Sequence, residues 1–122
     1  MALASTVNGN ALILQLAGRL DQDNCDIFRD DLAVHLAAAE RDHLAIVLDL
    51  SGLEYVSSAG LRCFMLACKQ AKAYNGRIVV AALQPMVAEI FQISRFDMLL
   101  KVFPTLAAAV SDVKSNPSGT NK

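Results

Sequence analysis

Two adjacent serines, Ser57 and Ser58, are the residues of this chain best placed to do chemistry. They follow an apolar run, Leu44 to Leu50, which is too short for a globular helix and is typical of a strand buried on both faces. After the serines the period becomes helical, with apolar residues four and seven positions beyond Leu61. The sequence therefore predicts that a buried strand delivers both hydroxyls to the start of a helix, at a sheet edge where ligands and partners bind.

A hydroxyl at the start of a helix has two interpretations, and they are compatible. One is an N-cap, in which the serine oxygen accepts a hydrogen bond from a free backbone N–H and stabilises the helix by about 1 kcal/mol. The other is a modification site, because the free amides and the macrodipole of a helix N-terminus accommodate a phosphate. Residue type and spacing leave both interpretations open for Ser57 and Ser58.

Composition and charge narrow the classes of function. The chain has 122 residues, enough for one domain, with a net charge of −1 and no basic cluster, so nucleic acid is not an expected partner. No apolar run reaches the roughly 18 residues of a membrane span, and the N-terminus lacks the layout of a signal peptide. The cysteines lack metal-ligand spacing, and we expect reduced, buried thiols in a cytoplasmic protein. These cysteines are Cys25, Cys63 and Cys68.

The first third of the chain predicts a hairpin followed by a helix. Asn8-Gly9 is a two-residue hairpin signal between an edge strand at Thr6-Val7 and a second strand from Asn10 to Ala17. The stretch from Gly18 to Asp21 then predicts a connection. Carboxylates cluster at the start of the next helix, where Asp21 is expected as an N-cap or first-turn charge. The expected apolar face of that helix comprises Cys25, Phe28, Leu32, Leu36 and Ala39.

The second half of the chain predicts two more strands and two more helices. A strand from Arg77 to Leu83 precedes a helix opened by Pro85, which carries more apolar residues than one narrow face needs, so some should point outward. A short strand from Leu99 to Phe103 and a helix after Pro104-Thr105 complete the pattern. The order β-β-α-β-α-β-α-β-α predicts an α/β domain with a mixed sheet and right-handed crossovers.

This sequence matches none of the common catalytic or metal-binding motifs. It has no G-x-S-x-G elbow and no glycine-rich phosphate loop. Asp49, at the expected end of a strand, could suit a metal or phosphoryl site but has no acidic neighbour. His35 and His43 occur in other elements without a second ligand at helical spacing. We therefore expect no catalytic residue, metal site or cofactor, with a small hydrolase that uses Ser58 as the alternative.

The chain resembles a STAS domain of the bacterial anti-sigma-factor antagonist type, from about Leu12 to Val113. The segments that carry the resemblance are Gly18-x-Leu20-Asp21, Ile46 to Leu50, Tyr55-Val56-Ser57-Ser58-Ala59-Gly60-Leu61-Arg62, Gln84-Pro85 and Val102 to Leu106. The resemblance implies the STAS fold, a mixed sheet of about five strands with about four helices packed mainly on one face. It also implies a single domain over residues 1–114, and the polar composition of residues 115–122 predicts a disordered tail.

The resemblance also implies a phosphorylation site. In the family an aspartate often precedes the phosphorylated serine, in a pattern like Asp-Ser-Ser/Thr-Gly-Leu. Aligned on Gly60-Leu61, the phosphoacceptor position falls on Ser58, while Ser57 takes the aspartate position and Ala59 the next hydroxyl position. Ser58 is therefore the expected acceptor, with Ser57 as the alternative. The partner-binding residues expected on this surface are Asp21, Ser57, Ser58, Gly60 and Arg62.

The function implied by the resemblance is a switch between partners. The unphosphorylated protein would bind an anti-sigma factor that is also an ATP-dependent serine kinase, and so free the sigma factor. Phosphorylation at Ser58 would end that binding, and a metal-dependent serine phosphatase would restore it. The chain itself would need no cofactor and no membrane. The alternative is a constitutive STAS adaptor subunit of a signalling or lipid-transport assembly, without a phosphoswitch.

Overall fold

The central element of the sheet is strand β3 (Ala45–Val56), whose first six residues are all buried. The computed structural model describes residues 3–73, 76–98 and 100–115, and its strands lie in the order β1-β2-β3-β4-β5. The other four strands are β1 (Ala4–Asn8), β2 (Ala11–Leu20), β4 (Ile78–Ala81) and β5 (Lys101–Phe103). Strand β1 is antiparallel to β2, whereas β2 to β5 are parallel, which confirms the predicted mixed sheet.

Three helices cover one face of the sheet, and a fourth covers the other. The helices are α1 (Cys25–Asp42), α2 (Ser58–Ala73), α3 (Pro85–Ile93) and α4 (Leu106–Ser115). Residues of α1, α2 and α3 share the larger core cluster, whereas α4 packs with small residues of the opposite face. This arrangement confirms the expected fold, with helices mainly on one face. None of the helices in the described ranges has the length and hydrophobicity needed to cross a bilayer.

The first two strands form the predicted hairpin, but its turn lies one residue later than expected. Asn8 pairs with Ala11, so the two central residues of the turn are Gly9 and Asn10 rather than Asn8 and Gly9. Gly9 has a φ of +63°. A left-handed first central residue is what a type II′ hairpin turn requires, and glycine adopts that conformation without steric cost.

Strands β2 and β3 extend further than predicted. The sequence pattern ended β2 at Ala17 and β3 at Leu50, whereas the structure continues β2 to Leu20 and β3 to Val56. The two strands remain paired through two register shifts along β2. A Cβ on Gly52 would stand 3.0 Å from a backbone carbonyl oxygen of β2. Glycine therefore permits a close backbone approach at this irregularity and does not end the strand.

Strand β4 is shorter than predicted because the chain turns away from the sheet at its end. It covers Ile78–Ala81 rather than Arg77 to Leu83, and the next residue, Ala82, has a φ of +61°. A 3-10 helical turn at Phe96–Met98, which the sequence pattern did not predict, then precedes β5. Three predictions fall wholly or partly outside the described residues. They are the helix end at Asn75, the strand start at Leu99 and the tail over 115–122, of which only Ser115 is described.

Phenylalanine rings join the three helices that share a face. The Phe64 ring of α2 lies with its centroid 5.5 Å from that of Phe28 in α1 and 5.9 Å from that of Phe91 in α3. Phe91 in turn contacts Phe96 at 5.3 Å. Pairs with this edge-on geometry stabilise by about 0.5–1.5 kcal/mol beyond the area they bury. The start of α2 is therefore anchored both by the sheet below it and by helices on either side.

We predict that Leu48→Ala lowers the free energy of unfolding by about 2–5 kcal/mol, because it opens a cavity beneath the helices. Leu48 lies in the middle of β3 and is fully buried. Val34→Ala is the matched control, since Val34 on α1 is 67% exposed and its truncation should change stability by less than about 0.5 kcal/mol. The measurement is denaturant titration of both variants, and a loss below about 1 kcal/mol for Leu48→Ala would show that β3 is not central.

Candidate functional site

The carboxyl ends of β2 and β3 lie side by side, and the candidate site is built on them. Leu20, the last residue of β2, pairs with Val56, the last residue of β3. The backbone N–H of Ser57 then donates to the carbonyl oxygen of Leu20 at 2.9 Å, and the chain enters α2. Asp21 directly follows Leu20. The structure therefore brings Asp21 to the same sheet edge as the two serines, as the parallel topology requires.

The two interpretations of the serine pair fall on different serines. Ser57 is the N-cap of α2, since its Oγ accepts a hydrogen bond from the backbone N–H of Gly60 at 3.2 Å. Ser58 is the first residue of the helix and is exposed. Within the described ranges, no hydrogen bond involves the Ser58 hydroxyl. The capping function therefore belongs to Ser57, and the hydroxyl of Ser58 is available to other molecules.

Asp21 shapes the turn before α1 but does not cap the helix. Helix α1 begins at Cys25 with Asn24 in the N-cap position, so the expectation of an N-cap or first-turn charge at Asp21 is wrong. Its Oδ1 accepts from the N–H of Asp23 at 3.0 Å, and its own N–H donates to Oδ1 of Asn24 at 2.9 Å. Local bonds of this kind are typical of Asp and Asn in turns, and they fix this half-buried residue in the turn that follows β2.

Gly60 allows the first turn of α2 to pack directly on the strand ends. A Cβ at this position would stand 2.7 Å from Cγ2 of Val56 and 2.9 Å from Cγ of Leu20, and also 3.0 Å from the Leu20 carbonyl oxygen. Real Cβ atoms almost never approach other atoms this closely, and one of these neighbours is rigid backbone. Gly60 is itself buried. It contributes to the site by letting α2, and with it the two serines, pack close to the strand ends.

The core-facing side of α2 agrees in part with the predicted one. The sequence pattern predicts an apolar side of Leu61, Met65 and Cys68 with Phe64 and Ala71 beside them, and of these Phe64, Cys68 and Ala71 are buried. Leu61 and Met65 lie at the border and are partly buried. The buried residues of α2 are Gly60, Cys63, Phe64, Ala67, Cys68 and Ala71. Leu61 is consequently turned toward the surface beside Ser58.

A shallow groove of about 340 Å³ lies beside Ser58, between the start of α2 and the end of α3. It is mostly apolar, and its lining residues are Tyr55, Val56, Ser57, Ser58, Leu61, Ile90, Ile93 and Ser94. On α3, Ile93 is 76% exposed and Met86 is 56% exposed. This confirms the prediction that α3 presents apolar side chains outward. An exposed hydroxyl therefore borders an apolar surface that a protein partner could cover.

Within the first turn of α2 the charges favour an added anion, while the Asp21 carboxylate belongs to the same sheet edge. The first turn of α2 contains no acidic residue to complement the positive end of its dipole. Two arginines lie nearby in the chain: Arg62, exposed on α2, and Arg19, whose guanidinium stacks over the Tyr55 ring at 4.4 Å. An anion attached to Ser58 would meet the helix N-terminus with no carboxylate of that helical turn opposing it.

Asp49 is a structural carboxylate. It lies within β3 rather than at the end of a strand, because β3 continues to Val56, and it is buried. Its Oδ1 accepts from the N–H of Ser51 at 3.1 Å, and its Oδ2 accepts from the Gln15 side chain at 3.4 Å. Across the ranges that the structure describes, no three His, Cys, Asp or Glu side chains are grouped so as to hold a metal ion.

Neither histidine lies at the strand end that leads to Ser58. His43 caps the C-terminus of α1 in a left-handed conformation and leads into β3, whereas Ser58 follows the opposite end of that strand. A strand of this length spans roughly 35–40 Å. His35 is partly buried within α1. The structure therefore does not bring a histidine base to Ser58.

The cysteines differ in exposure. Cys63 and Cys68 are buried, as predicted, whereas Cys25 is only partly buried because it starts α1 at the edge of the core. The Cys63 thiol lies 3.6 Å from the backbone carbonyl oxygen of Cys25. Burial raises the pKa of the Cys63 thiol above its ordinary value, and the neighbouring Cys25 adds to that effect. Cys63 therefore holds its proton and packs as a small apolar residue.

The protein is thus an α/β domain with a serine exposed at a helix N-terminus beside an apolar groove. A protein-family model described as "Mlab, STAS domain" matches residues 3–101. The chain is also 40% identical over 93 residues to BtrV of Bordetella bronchiseptica, which is named as a candidate anti-sigma factor antagonist. That match covers 76% of this chain and 75% of BtrV. The chain therefore belongs to the STAS domain family, as its sequence resemblance indicated.

Solved structures share this fold at low sequence identity. A candidate anti-sigma factor antagonist from Thermotoga maritima has a TM-score of 0.83 and 18% identity, covering 92% of this chain and 94% of that one. The phosphorylated form of the Bacillus cell fate determinant SpoIIAA has a TM-score of 0.64 and 19% identity, covering 92% of this chain and 99% of that one. Both similarities show a common architecture.

We predict that the two serines contribute unequally to stability. Ser57→Ala should lower the free energy of unfolding by about 1 kcal/mol, because the N–H of Gly60 loses its acceptor at a buried helix start. Ser58→Ala is the matched control on the next residue, and it should change stability by less than about 0.5 kcal/mol. Thermal and denaturant unfolding of the two variants measures the difference. Equal losses, or a larger loss for Ser58→Ala, would contradict the assignment of Ser57 as the cap.

Proposed function

We propose that this protein is an anti-sigma-factor antagonist that binds an anti-sigma factor through the edge around Ser58 and is switched off by phosphorylation there. The observation that carries the proposal is that the two serines have different environments. Ser57 supplies the cap, and the hydroxyl of Ser58 stays exposed in the first turn of α2. Membership of the STAS family and the similarity to BtrV support the same function.

The surface next to Ser58 has the composition of a protein interface. The groove contributes Leu61 and Ile90, and the largely exposed Ile93 stands at its rim. Apolar anchors of this kind supply most of the binding energy when a partner excludes water from them. Asp21 and Arg62 add charges that can set the orientation of the partner. In the proposed complex Ser58 lies within the contact area.

Phosphorylation at this position can abolish binding while the fold is retained. The free amides and dipole of α2 favour a negative charge at its N-terminus by about 0.3–1 kcal/mol at an exposed site. A phosphate pressed into a packed interface must instead lose water, and it can also meet acidic groups of the partner. If contacts worth about 3–4 kcal/mol are lost, affinity falls several-hundred-fold. Phosphorylation therefore lowers the affinity for the partner and leaves the fold of the domain intact.

The proposal assigns the chemistry of the switch to the partners. The anti-sigma factor is also the ATP-dependent serine kinase, and a metal-dependent serine phosphatase restores the free hydroxyl. The exchange takes place in the cytoplasm, where ATP and the transcription machinery reside. Ser57 is the poorer acceptor, because its oxygen is half-buried and already accepts the N–H of Gly60.

One observation favours a second function, a constitutive STAS adaptor subunit of a signalling or lipid-transport assembly. The position that carries aspartate in the family pattern is Ser57, so the acidic residue beside the acceptor is missing. An adaptor of this type would use the same surface without any dependence on ATP. The two functions differ in one measurable property, which is whether partner capture changes when ATP is present.

We predict that incubation with ATP in a lysate of the source cells adds one phosphate to the protein and releases its partner. Ser58→Ala should bind the partner with and without ATP, and Ser58→Asp should fold but bind poorly. Ser57→Ala is the matched control and should still be phosphorylated. Intact mass and phosphosite mapping locate the phosphate, and calorimetry with the captured partner measures affinity.

Three results would contradict the switch. They are a phosphate mapped to Ser57, a phosphorylated Ser58 that binds as tightly as the free hydroxyl, and partner capture that ATP leaves unchanged. The last of these, with no phosphate added, would instead support the constitutive adaptor. A melting temperature lowered by more than about 10 °C in Ser58→Asp would contradict the claim that the fold is spared.

A further inference from the structure

Arg62 is an exposed cation one helical turn after Ser58, and no ion pair involves it among the residues that the structure describes. Both residues belong to α2, in which Ser58 is the first residue. Residues four apart on a helix are neighbours, with Cβ atoms about 5–6 Å from each other. Helical side chains lean toward the N-terminus, so an arginine at position 62 can reach back over the turn that holds Ser58.

Helix α1 shows the arrangement that α2 lacks. In α1 the first turn carries Asp26, and the guanidinium of Arg29, three residues later, lies 3.4 Å from its carboxylate. In α2 the corresponding cation is present as Arg62, but the first turn has no acidic residue. A phosphate on Ser58 would supply that anion, in the order that favours helical pairs, with the negative group N-terminal to the positive one.

We propose that Arg62 binds the phosphate of phosphorylated Ser58 within the same helix, and that this pairing withdraws Arg62 from the partner surface. The inference rests on the proposed function, in which Ser58 is phosphorylated and Arg62 contacts the partner. A guanidinium can hold a phosphate through two parallel hydrogen bonds, which a single lysine ammonium cannot reproduce. Phosphorylation then changes two charges on the surface, because it adds an anion and also occupies a cation that an acidic partner group requires.

The pairing predicts that part of the affinity lost on phosphorylation depends on Arg62. Arg62→Gln should weaken binding of the unphosphorylated protein, because the partner loses a cationic contact. The further loss of affinity on phosphorylation should then be smaller in Arg62→Gln than in the parent protein, since part of that loss has already occurred. A phosphate that acts only through its own charge and bulk predicts the same fold-loss in both proteins.

The first test needs neither kinase nor partner, because phosphoserine can be installed at position 58 by translational incorporation or chemical ligation. The second pKa of the phosphate, ordinarily about 6, is measured by 31P NMR titration in the parent protein and in Arg62→Gln. We expect it to be about 0.2–0.4 lower with Arg62 present, because the guanidinium favours the dianion. Arg62→Lys should retain only part of this effect.

Lys69→Gln is the matched control, since Lys69 is an exposed cation of the same helix two turns further from the phosphate. It should leave the phosphate pKa unchanged. Equal pKa values in the parent protein and Arg62→Gln, or an equal change in Lys69→Gln, would overturn the pairing. A circular dichroism melt of each unphosphorylated variant checks that all of them fold, as substitutions of exposed side chains should allow.

The second test measures partner affinity by calorimetry for the four combinations of Ser58 or phosphoserine with Arg62 or glutamine. The inference requires that phosphorylation costs at least about three-fold less affinity in Arg62→Gln than in the parent protein. An undiminished fold-loss would overturn it. The proposed function and the proposed pairing can be contradicted separately. If no kinase phosphorylates Ser58, the proposed function fails, whereas the 31P measurement on installed phosphoserine still decides whether Arg62 holds the phosphate.

Discussion

The contact on which the site depends is the one between the first turn of α2 and the ends of β2 and β3. A backbone hydrogen bond from Ser57 to Leu20 joins the helix start to the neighbouring strand. Gly60 brings the helix so close that a single methyl group would collide with both strands. Because the backbone of α2 is fixed at this depth, the serine at its cap position faces inward, and the next serine faces solvent.

The double burial of β3 makes this contact possible. The first half of the strand is covered by three helices on one face and by α4 on the other, whereas Ser51 and Glu54 in its second half are exposed. Ser58 is attached to the last residues of a rigid strand and to a helix that phenylalanine packing fixes from the side. A modification there can alter the charge of the surface with little movement of the scaffold. The proposed switch requires this rigidity of the domain.

Periodicity and turn chemistry predicted the elements of this fold, whereas backbone proximity could not be predicted from either. Alternating leucines and β-branched runs report which side chains are buried, so the mixed sheet and most helices followed from the sequence. The apolar run predicts a strand end at Leu50, and Gly52 just beyond it is ambiguous, because a glycine either ends a strand or admits a neighbouring backbone. The choice depends on β2, which lies far away in sequence. The assignment of the cap to Ser57 was undetermined for the same reason, since it rests on where the strand ends.

The identity of the cap also determines the charge beside Ser58, the proposed modification site. In the family pattern an aspartate precedes the phosphoacceptor, and an aspartate at position 57 would place a carboxylate directly before Ser58 and at the N-terminus of α2. Here a neutral serine makes the capping bond. The positive end of the helix dipole therefore remains without an acidic complement in the first turn, and Arg62 remains without a carboxylate partner in the described ranges. An added phosphate would meet less repulsion than it would beside an aspartate.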